Sequence, residues 1–141
     1  MAIKAVLDTR FFFALYNPSS HKQEDWCKAV VLESKRSLKI NSQAYVASCI
    51  TISELYENMG RLVGRDVVRL RLSSMKNSGI QFVPIDEEVA EHAGDLKMNS
   101  SELPMSDAMI ATTAMLFAGG RLVSDDEHFK GIKNLKMSWV D

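Results

Sequence analysis

One stretch at the start of the chain, residues 3–16, constrains the fold more than any other part of the sequence. Residues 3–7 are mostly apolar and predict a short buried strand, and Thr9–Tyr16 forms a second apolar block with helical character. A lone carboxylate, Asp8, stands between the two blocks. In open α/β sheets, ligands bind at the carboxyl ends of the strands. Asp8 is therefore the first candidate for a functional residue.

Strands and helices alternate along the rest of the sequence. Further strands are predicted at 45–50, 80–83 and 121–124, with a short fifth within 132–137; the main helices are predicted at 21–34, 51–60, 65–76, 86–94 and 106–118. Strands separated by helices require parallel crossovers. We therefore expect an α/β fold with a four- or five-stranded, mostly parallel sheet and helices on both faces. The length and the lack of a linker predict one domain, 1–141.

Composition excludes several other classes of protein. No apolar run approaches the roughly 18 residues that cross a membrane, and the N-terminus lacks a signal-peptide pattern. Cys27 and Cys49 belong to no Cys/His cluster, so we expect no structural zinc and a reducing, cytoplasmic compartment. The net charge of −1 gives no positive evidence for nucleic-acid binding, although a local basic patch matters more than the sum.

Acidic residues recur at the ends of the predicted strands. Asp8 ends the first strand, Glu54 lies in the first turn after the second, Asp107 begins the 106–118 helix, and Asp125 and Asp126 follow the fourth strand. In a parallel sheet these positions share one edge, where crowded carboxylates raise each other's pKa values unless a divalent cation offsets the repulsion. Oxygen ligands without histidine or thiol favour Mg²⁺ or Mn²⁺, which can activate water and stabilise charge on a phosphate.

Each acid also has a purely structural explanation. Asp8 is a preferred N-cap residue, and Asp107 suits the positive end of a helix dipole. Thr51 and Glu54 fit a capping box, in which hydroxyl and carboxylate bond each other's backbone N–H groups. The helix-dipole explanation is weaker for Asp107. Small residues follow Asp107 at helical spacing, which indicates that the side of the helix that carries Asp107 packs on the sheet. These alternatives leave a metal site as a hypothesis.

Four motifs resemble those of the PIN-domain nucleases, which include the VapC-type toxins of toxin–antitoxin pairs. They are Val6-Leu7-Asp8-Thr9, Ile52-Ser53-Glu54-Leu55, Ser106-Asp107-Ala108-Met109-Ile110-Ala111 and Leu122-Val123-Ser124-Asp125-Asp126-Glu127-His128-Phe129. The resemblance spans nearly the whole chain. It implies a three-layer α/β/α sandwich and an Mg²⁺- or Mn²⁺-dependent endoribonuclease. Its catalytic and metal-binding acids would be Asp8, Glu54, Asp107 and Asp126.

The resemblance also implies an RNA substrate, a homodimer and, for toxin members, a cognate antitoxin that reaches into the active site. Ser124 matches the hydroxyl residue that precedes the last acid by two positions. The choice between Asp125 and Asp126 depends on register. Arg10 stands where the family often has Asn, and both a phosphate contact and an ion pair with a nearby acid are open to it.

Substrate-binding residues are less evident. Arg61, Arg65 and Arg69 recur every four residues and would form one basic stripe, either an RNA-binding surface or a solvated helix face. The lysines that follow the last acid would flank the groove: Lys130, Lys133 and Lys136. His128 is expected to pack or hydrogen-bond near the final strand and is not assigned as a general base.

Two other functions are also compatible with the sequence. One is an aspartate-nucleophile phosphotransfer enzyme, which would also use an Asp after the first strand. Such enzymes usually need a second Asp two residues later, where this chain has Arg10. The other is a non-catalytic RNA- or protein-binding domain that keeps the fold and some of the acids.

Overall fold

A five-stranded parallel sheet forms the centre of the protein, with its first strand in the middle. The computed structural model describes residues 3–140. The strands are β1 (Ala5–Leu7), β2 (Tyr45–Ser48), β3 (Gln81–Val83), β4 (Arg121–Val123) and β5 (Lys136–Ser138), in the spatial order β3-β2-β1-β4-β5. Every neighbouring pair is parallel. The predicted parallel sheet is confirmed, and it has five strands.

Helices connect the strands, and their bounds differ from the predicted ones mainly at the ends. They are α1 (Thr9–Tyr16), α2 (His21–Leu38), α3 (Cys49–Glu54), α4 (Gly60–Val63), α5 (Arg65–Asn77), α6 (Glu87–Asn99) and α7 (Met105–Phe117). A π-helical segment, Leu55–Met59, joins α3 to α4, and a 3₁₀ turn, Glu127–Phe129, follows β4. Asp86, the predicted first residue of the 86–94 helix, is the N-cap of α6, because its carboxylate accepts a hydrogen bond from the Val89 amide.

Side chains of the strands alternate between two apolar cores. Ala5 and Leu7 of β1 pack with α1, α2 and α5, whereas Val6 packs on the opposite face with Ile110 and Ala114 of α7. Because successive strand residues point to opposite faces, one short strand contributes to both cores. This arrangement gives three layers, helices on each side of one sheet, as an α/β/α sandwich requires.

The aromatic residues of α1 fix that helix against the sheet. Phe11 and Phe12 are fully buried and meet edge to face with ring centroids 5.4 Å apart. Phe11 also contacts Trp26 of α2, and Phe12 stacks on Phe82 of β3. Since α1 begins immediately after Asp8, this packing also fixes the position of Asp8. None of the helices within residues 3–140 is long and apolar enough to cross a membrane.

Candidate active site

Asp8 lies at the carboxyl end of the central strand with its side chain almost fully buried. Only 3% of the residue is exposed, and its amide donates to the Val123 carbonyl of the neighbouring strand. Asp8 occupies the N-cap position of α1, but its carboxylate makes no capping hydrogen bond to that helix. Instead, Oδ2 of Asp8 accepts a 2.6 Å hydrogen bond from Ser124 Oγ. The structural explanation of Asp8 as a simple helix cap therefore does not account for its carboxylate.

Ser124 connects Asp8 to Asp126. The Ser124 hydroxyl donates to Asp8 and accepts a 3.0 Å hydrogen bond from the Asp126 amide. Asp126 in turn caps the 3₁₀ turn, since its Oδ1 accepts a hydrogen bond from the His128 amide at 2.9 Å. Phe129, 1% exposed, anchors the turn in the core. The loop after β4 is thus held against the end of β1.

Asp107 completes a tight group with Asp126 and His128. Asp107 lies in the first turn of α7 and is only 8% exposed, as its inward orientation in the sequence pattern predicted. A 2.8 Å hydrogen bond joins its Oδ2 to Nδ1 of His128, and the same nitrogen is 3.4 Å from Asp126 Oδ1. One candidate ligand atom from each of the three residues lies within 4.8 Å of the other two.

His128 was expected to pack or hydrogen-bond near the final strand; it hydrogen-bonds to Asp107, so a histidine lies beside the acids that the sequence predicted. His128 is two residues beyond Asp126, and the 3₁₀ turn between them brings its ring back over Asp107. The spacing of Asp126 and His128, with one residue between them, could have indicated that their side chains lie close together. The contact with Asp107 depends on how α7 packs beside β4, which the sequence pattern does not specify.

The prediction of a capping box between Thr51 and Glu54 is wrong. The helix begins earlier, at Cys49, because the Ser48 hydroxyl caps it by accepting from the Ile50 amide. Thr51 and Glu54 consequently lie inside the helix and face Thr9 of α1. Thr9 Oγ1 donates to Glu54 Oε1 at 2.6 Å and lies 3.0 Å from the Thr51 hydroxyl. Glu54 is thereby tied to the residue next to Asp8.

Burial and mutual repulsion raise the pKa values of two of these acids. The pKa of Asp8 rises from 3.8 to about 6, mainly because burial disfavours its charged form; the Ser124 hydrogen bond opposes the rise, and the charges of Asp107 and Asp126 add to it. Burial likewise raises the pKa of Asp107, partly offset by His128 and reinforced by the charges of Asp126 and Glu54. Four acids therefore influence one another electrostatically at one edge of the sheet.

Arg10 distinguishes the two adjacent acids after β4. Its Nε donates to Asp125 Oδ1 at 2.5 Å, so of the two open explanations the ion pair is the one present. Asp125 points to Arg10, whereas Asp126 points to His128 and Asp107. The geometry thus favours Asp126 over Asp125 as the fourth acid of the group.

The single basic stripe expected from Arg61, Arg65 and Arg69 is interrupted. Gly64, with φ of +91°, ends α4 and separates Arg61 from the two arginines of α5. Arg61 and Arg65 still line one shallow cavity, while Arg69 lies 3.5 Å from its helix neighbour Asp66. The predicted helices at 51–60 and 65–76 already left a break between Arg61 and Arg65, which the four-residue spacing of the arginines does not take into account.

The sequence matches a known family over most of its length. The family model for the PIN domain aligns with residues 5–135. The chain belongs to the PIN domain family. Its aligned region contains Asp8, Glu54, Asp107 and Asp126, so the resemblance inferred from the four motifs is confirmed at the level of the family. No curated protein sequence matches the chain significantly.

Solved structures share this PIN fold at low sequence identity. A chain in the crystal structure of VapBC2 from Rickettsia felis bound to a promoter DNA fragment is 16% identical, with a TM-score of 0.68 over 96% of this chain and 98% of that one. A chain in DNA-bound VapBC from Salmonella typhimurium is 19% identical, with a TM-score of 0.66 over 97% and 98%. A chain in a toxin–antitoxin complex from Klebsiella pneumoniae is 20% identical, with a TM-score of 0.64 over 94% of this chain and 96% of that one. These similarities establish the three-layer fold.

Thr9 provides a first test of how the PIN site is organised. Replacing Thr9 by Val removes the hydroxyl that holds Glu54 while keeping a β-branched side chain of similar size. If Glu54 acts in a nuclease site, we expect the rate of nucleic-acid cleavage to fall about 10-fold, the lower range for loss of a residue that orients a ligand. Thr9→Ser, which keeps the hydroxyl, is the control and should retain most of the activity. Equal rates for both variants would contradict a functional role for this contact.

Proposed function

We propose that this PIN domain, as a single domain of residues 1–141, is an endoribonuclease that hydrolyses RNA phosphodiester bonds with the help of Mg²⁺ or Mn²⁺. The observation that carries the proposal is the placement of buried Asp8 and Asp107 beside Asp126 at the carboxyl edge of the sheet. Burying carboxylates next to one another costs stability unless a cation accompanies them. Such a cost is typical of functional sites.

The donor set fits a hard divalent cation. Asp8, Asp107 and Asp126 would hold it most directly, and Glu54 would complete the ligand set, partly through water. Neither thiol competes, because Cys27 lies in the apolar core and Cys49 lies outside the group. When bound, the cation would lower the pKa of a water molecule and stabilise the charge that develops on the scissile phosphate.

The protein's own residues would position the reacting groups. Ser124 holds the Asp8 carboxylate in place, and Thr9 does the same for Glu54. A carboxylate that contacts the cation through water, as Glu54 would, is placed to orient that water for attack. In-line attack on the phosphate by that water would leave a 5′-phosphate and a 3′-hydroxyl, the products implied by the resemblance to the PIN-domain nucleases.

Two cavities flank the proposed site and offer a path for the RNA strand. One, of about 400 Å³, is lined by Glu102, Glu127, His128 and Lys130 among others. The other, of about 440 Å³, includes Arg10 and Asp125. Lys130 lines the cavity that contains His128, and Arg10 lines the one that contains Asp125; both would contact the phosphates that flank the scissile one. Phosphate binding would require Arg10 to exchange its contact with Asp125.

An antitoxin is a candidate partner, since the solved structures of similar fold are toxin–antitoxin complexes. A mainly apolar cavity of about 370 Å³, lined by Phe13, Met59, Leu62 and Val63 among others, contains none of the four acids. Leu62 is 83% and Val63 38% exposed there, so two adjacent apolar side chains of this cavity are accessible to a partner. We propose that an apolar segment of an antitoxin binds this cavity, and that the toxin is a cytoplasmic homodimer.

Cleavage of a labelled RNA tests the function directly. Purified protein should cut single-stranded RNA with Mg²⁺ or Mn²⁺ present and stop when EDTA removes the cation, and the products should carry 5′-phosphates. Cleavage that persists in EDTA would contradict metal dependence. Cleavage that is unchanged in both Asp8→Asn and Asp107→Asn would contradict the assigned site.

Ser124 supports a further prediction for the same assay. Ser124→Ala removes the hydrogen bond that favours the charged form of Asp8 and should raise the pKa of Asp8 further. We expect cleavage at pH 7 to fall about 10-fold, with partial recovery at higher pH as Asp8 ionises. Ser124→Thr, which keeps the hydroxyl, should behave like the wild type. A pH profile of cleavage that is identical for the Ala variant and the wild type would contradict this role.

A further inference from the structure

The unassigned imidazole of His128 lies among the acids of the proposed site, and its position is fixed by the backbone rather than by burial. Its amide is hydrogen-bonded to Asp126, and the next residue, Phe129, anchors the turn in the core. The side chain itself is 56% exposed. A histidine so exposed contributes little to core packing, so the two contacts of its ring with carboxylates call for another explanation.

The distances match those of atoms that share one cation. In an octahedral site with ligand distances of about 2.1 Å, adjacent ligand atoms lie roughly 3 Å apart and opposite ones roughly 4.2 Å apart. His128 Nδ1 is 2.8 Å from Asp107 Oδ2 and 3.4 Å from Asp126 Oδ1, and both distances fall within this range. Neutral imidazole can carry its proton on Nε2, which leaves Nδ1 able to coordinate.

We propose that His128 supplies a nitrogen ligand to the cation held by Asp107 and Asp126, and that this ligand makes the site prefer Mn²⁺ to Mg²⁺. The inference rests on the proposed function, because it assumes that the acids bind a cation. Mg²⁺ strongly prefers oxygen ligands, whereas first-row transition ions accept imidazole readily. Four acids alone would not distinguish the two ions by ligand chemistry.

Electron paramagnetic resonance of bound Mn²⁺ detects such a nitrogen without any activity measurement. We expect the wild-type protein to show hyperfine coupling from a directly bound imidazole nitrogen, and His128→Ala to bind Mn²⁺ without it. His92→Ala is the matched control, since His92 is an exposed histidine whose Nδ1 contacts the Glu88 carbonyl of its own helix. That variant should keep the coupling.

Calorimetric titration gives the corresponding change in affinity. His128→Ala should weaken Mn²⁺ binding about 10-fold or more and Mg²⁺ binding by less than about 3-fold, so the preference between the ions falls. Equal weakening of both ions, or wild-type Mn²⁺ bound without nitrogen coupling, would overturn the role of His128 alone. Mn²⁺ binding that is absent in the wild type, or unaffected by Asp107→Asn, would overturn the proposed function as well.

Discussion

Replacing Asp107 by Asn should reduce RNA cleavage on the order of 10³-fold, comparable to removing one group that stabilises charge in a transition state. Asn has nearly the same shape as Asp but lacks the charge that would hold the cation. Because Asp107 is 8% exposed and its pKa is already raised by burial, a neutral amide fits its surroundings. We therefore expect the variant to fold normally, as circular dichroism and thermal unfolding would show.

The adjacent acids after β4 provide the matched control for this loss. Asp126→Asn should also lose most cleavage, because Asp126 lies with Asp107 and His128. Asp125→Asn changes the same residue type one position earlier and removes only the partner of Arg10. We expect the Asp125 variant to stay within about 3-fold of the wild type, as for an exposed ion pair. Similar losses for both would contradict the assignment of Asp126 over Asp125.

Replacing Asp8 by Asn should stabilise the metal-free protein while abolishing its cleavage of RNA. The folded-state pKa of Asp8, about 6, lies above its usual value of 3.8, so the folded protein binds this proton more tightly than the unfolded chain. The stability due to this proton is therefore fully present below pH 3.8 and is lost as the pH rises through 6. At pH 7.5 the loss amounts to about 3 kcal/mol.

Asn at position 8 carries no charge and avoids that loss. It is also as good an N-cap residue as Asp, so the start of α1 should be unchanged. We expect Asp8→Asn to raise the free energy of unfolding by about 3 kcal/mol at pH 7.5 and by about half as much at pH 5. Urea denaturation at both pH values, with EDTA present, measures the difference.

A surface acid and added cation serve as controls for the stability measurement. Asp66→Asn changes a side chain that is 91% exposed, and its effect should stay within about 0.5 kcal/mol at either pH. Adding Mn²⁺ should stabilise the wild type through binding to the folded state, and Asp8→Asn much less. If Asp8→Asn destabilised the protein at pH 7.5, the raised pKa inferred for Asp8 from its burial would be wrong.

The sequence was sufficient to predict a parallel sheet flanked by helices and the proximity of the acids at one edge of that sheet. Its alternation of short apolar strands with helices allows little besides parallel crossovers, and the ends of parallel strands meet at one edge. Asp8 and Asp126 occupy such positions, which is why their proximity was predictable without a structure. Asp107 begins α7, and the small residues after it indicated that its side of that helix packs on the sheet. Strand positions were right to within a few residues for the same reason.

The finer contacts of the site were not predictable, because they depend on packing between elements distant in the chain. The sequence pattern predicted a capping box between Thr51 and Glu54. In the structure the Ser48 hydroxyl caps the helix, and the Thr9 hydroxyl contacts the side chains of both Thr51 and Glu54. Likewise, no local rule places His128 on Asp107. The contacts of Thr9 and His128 join residues more than 20 positions apart. The cap depends on which of two nearby hydroxyl residues, Ser48 or Thr51, begins the helix.

Anomalous diffraction from crystals soaked in Mn²⁺ tests the central claim most directly. The account predicts a manganese peak enclosed by the carboxylates of Asp8 and Asp107, with Asp126 next to it, and no such peak in Asp107→Asn crystals soaked in the same way. Manganese bound only elsewhere on the protein, or a peak that survives unchanged in the variant, would contradict the claim that these acids form one cation site.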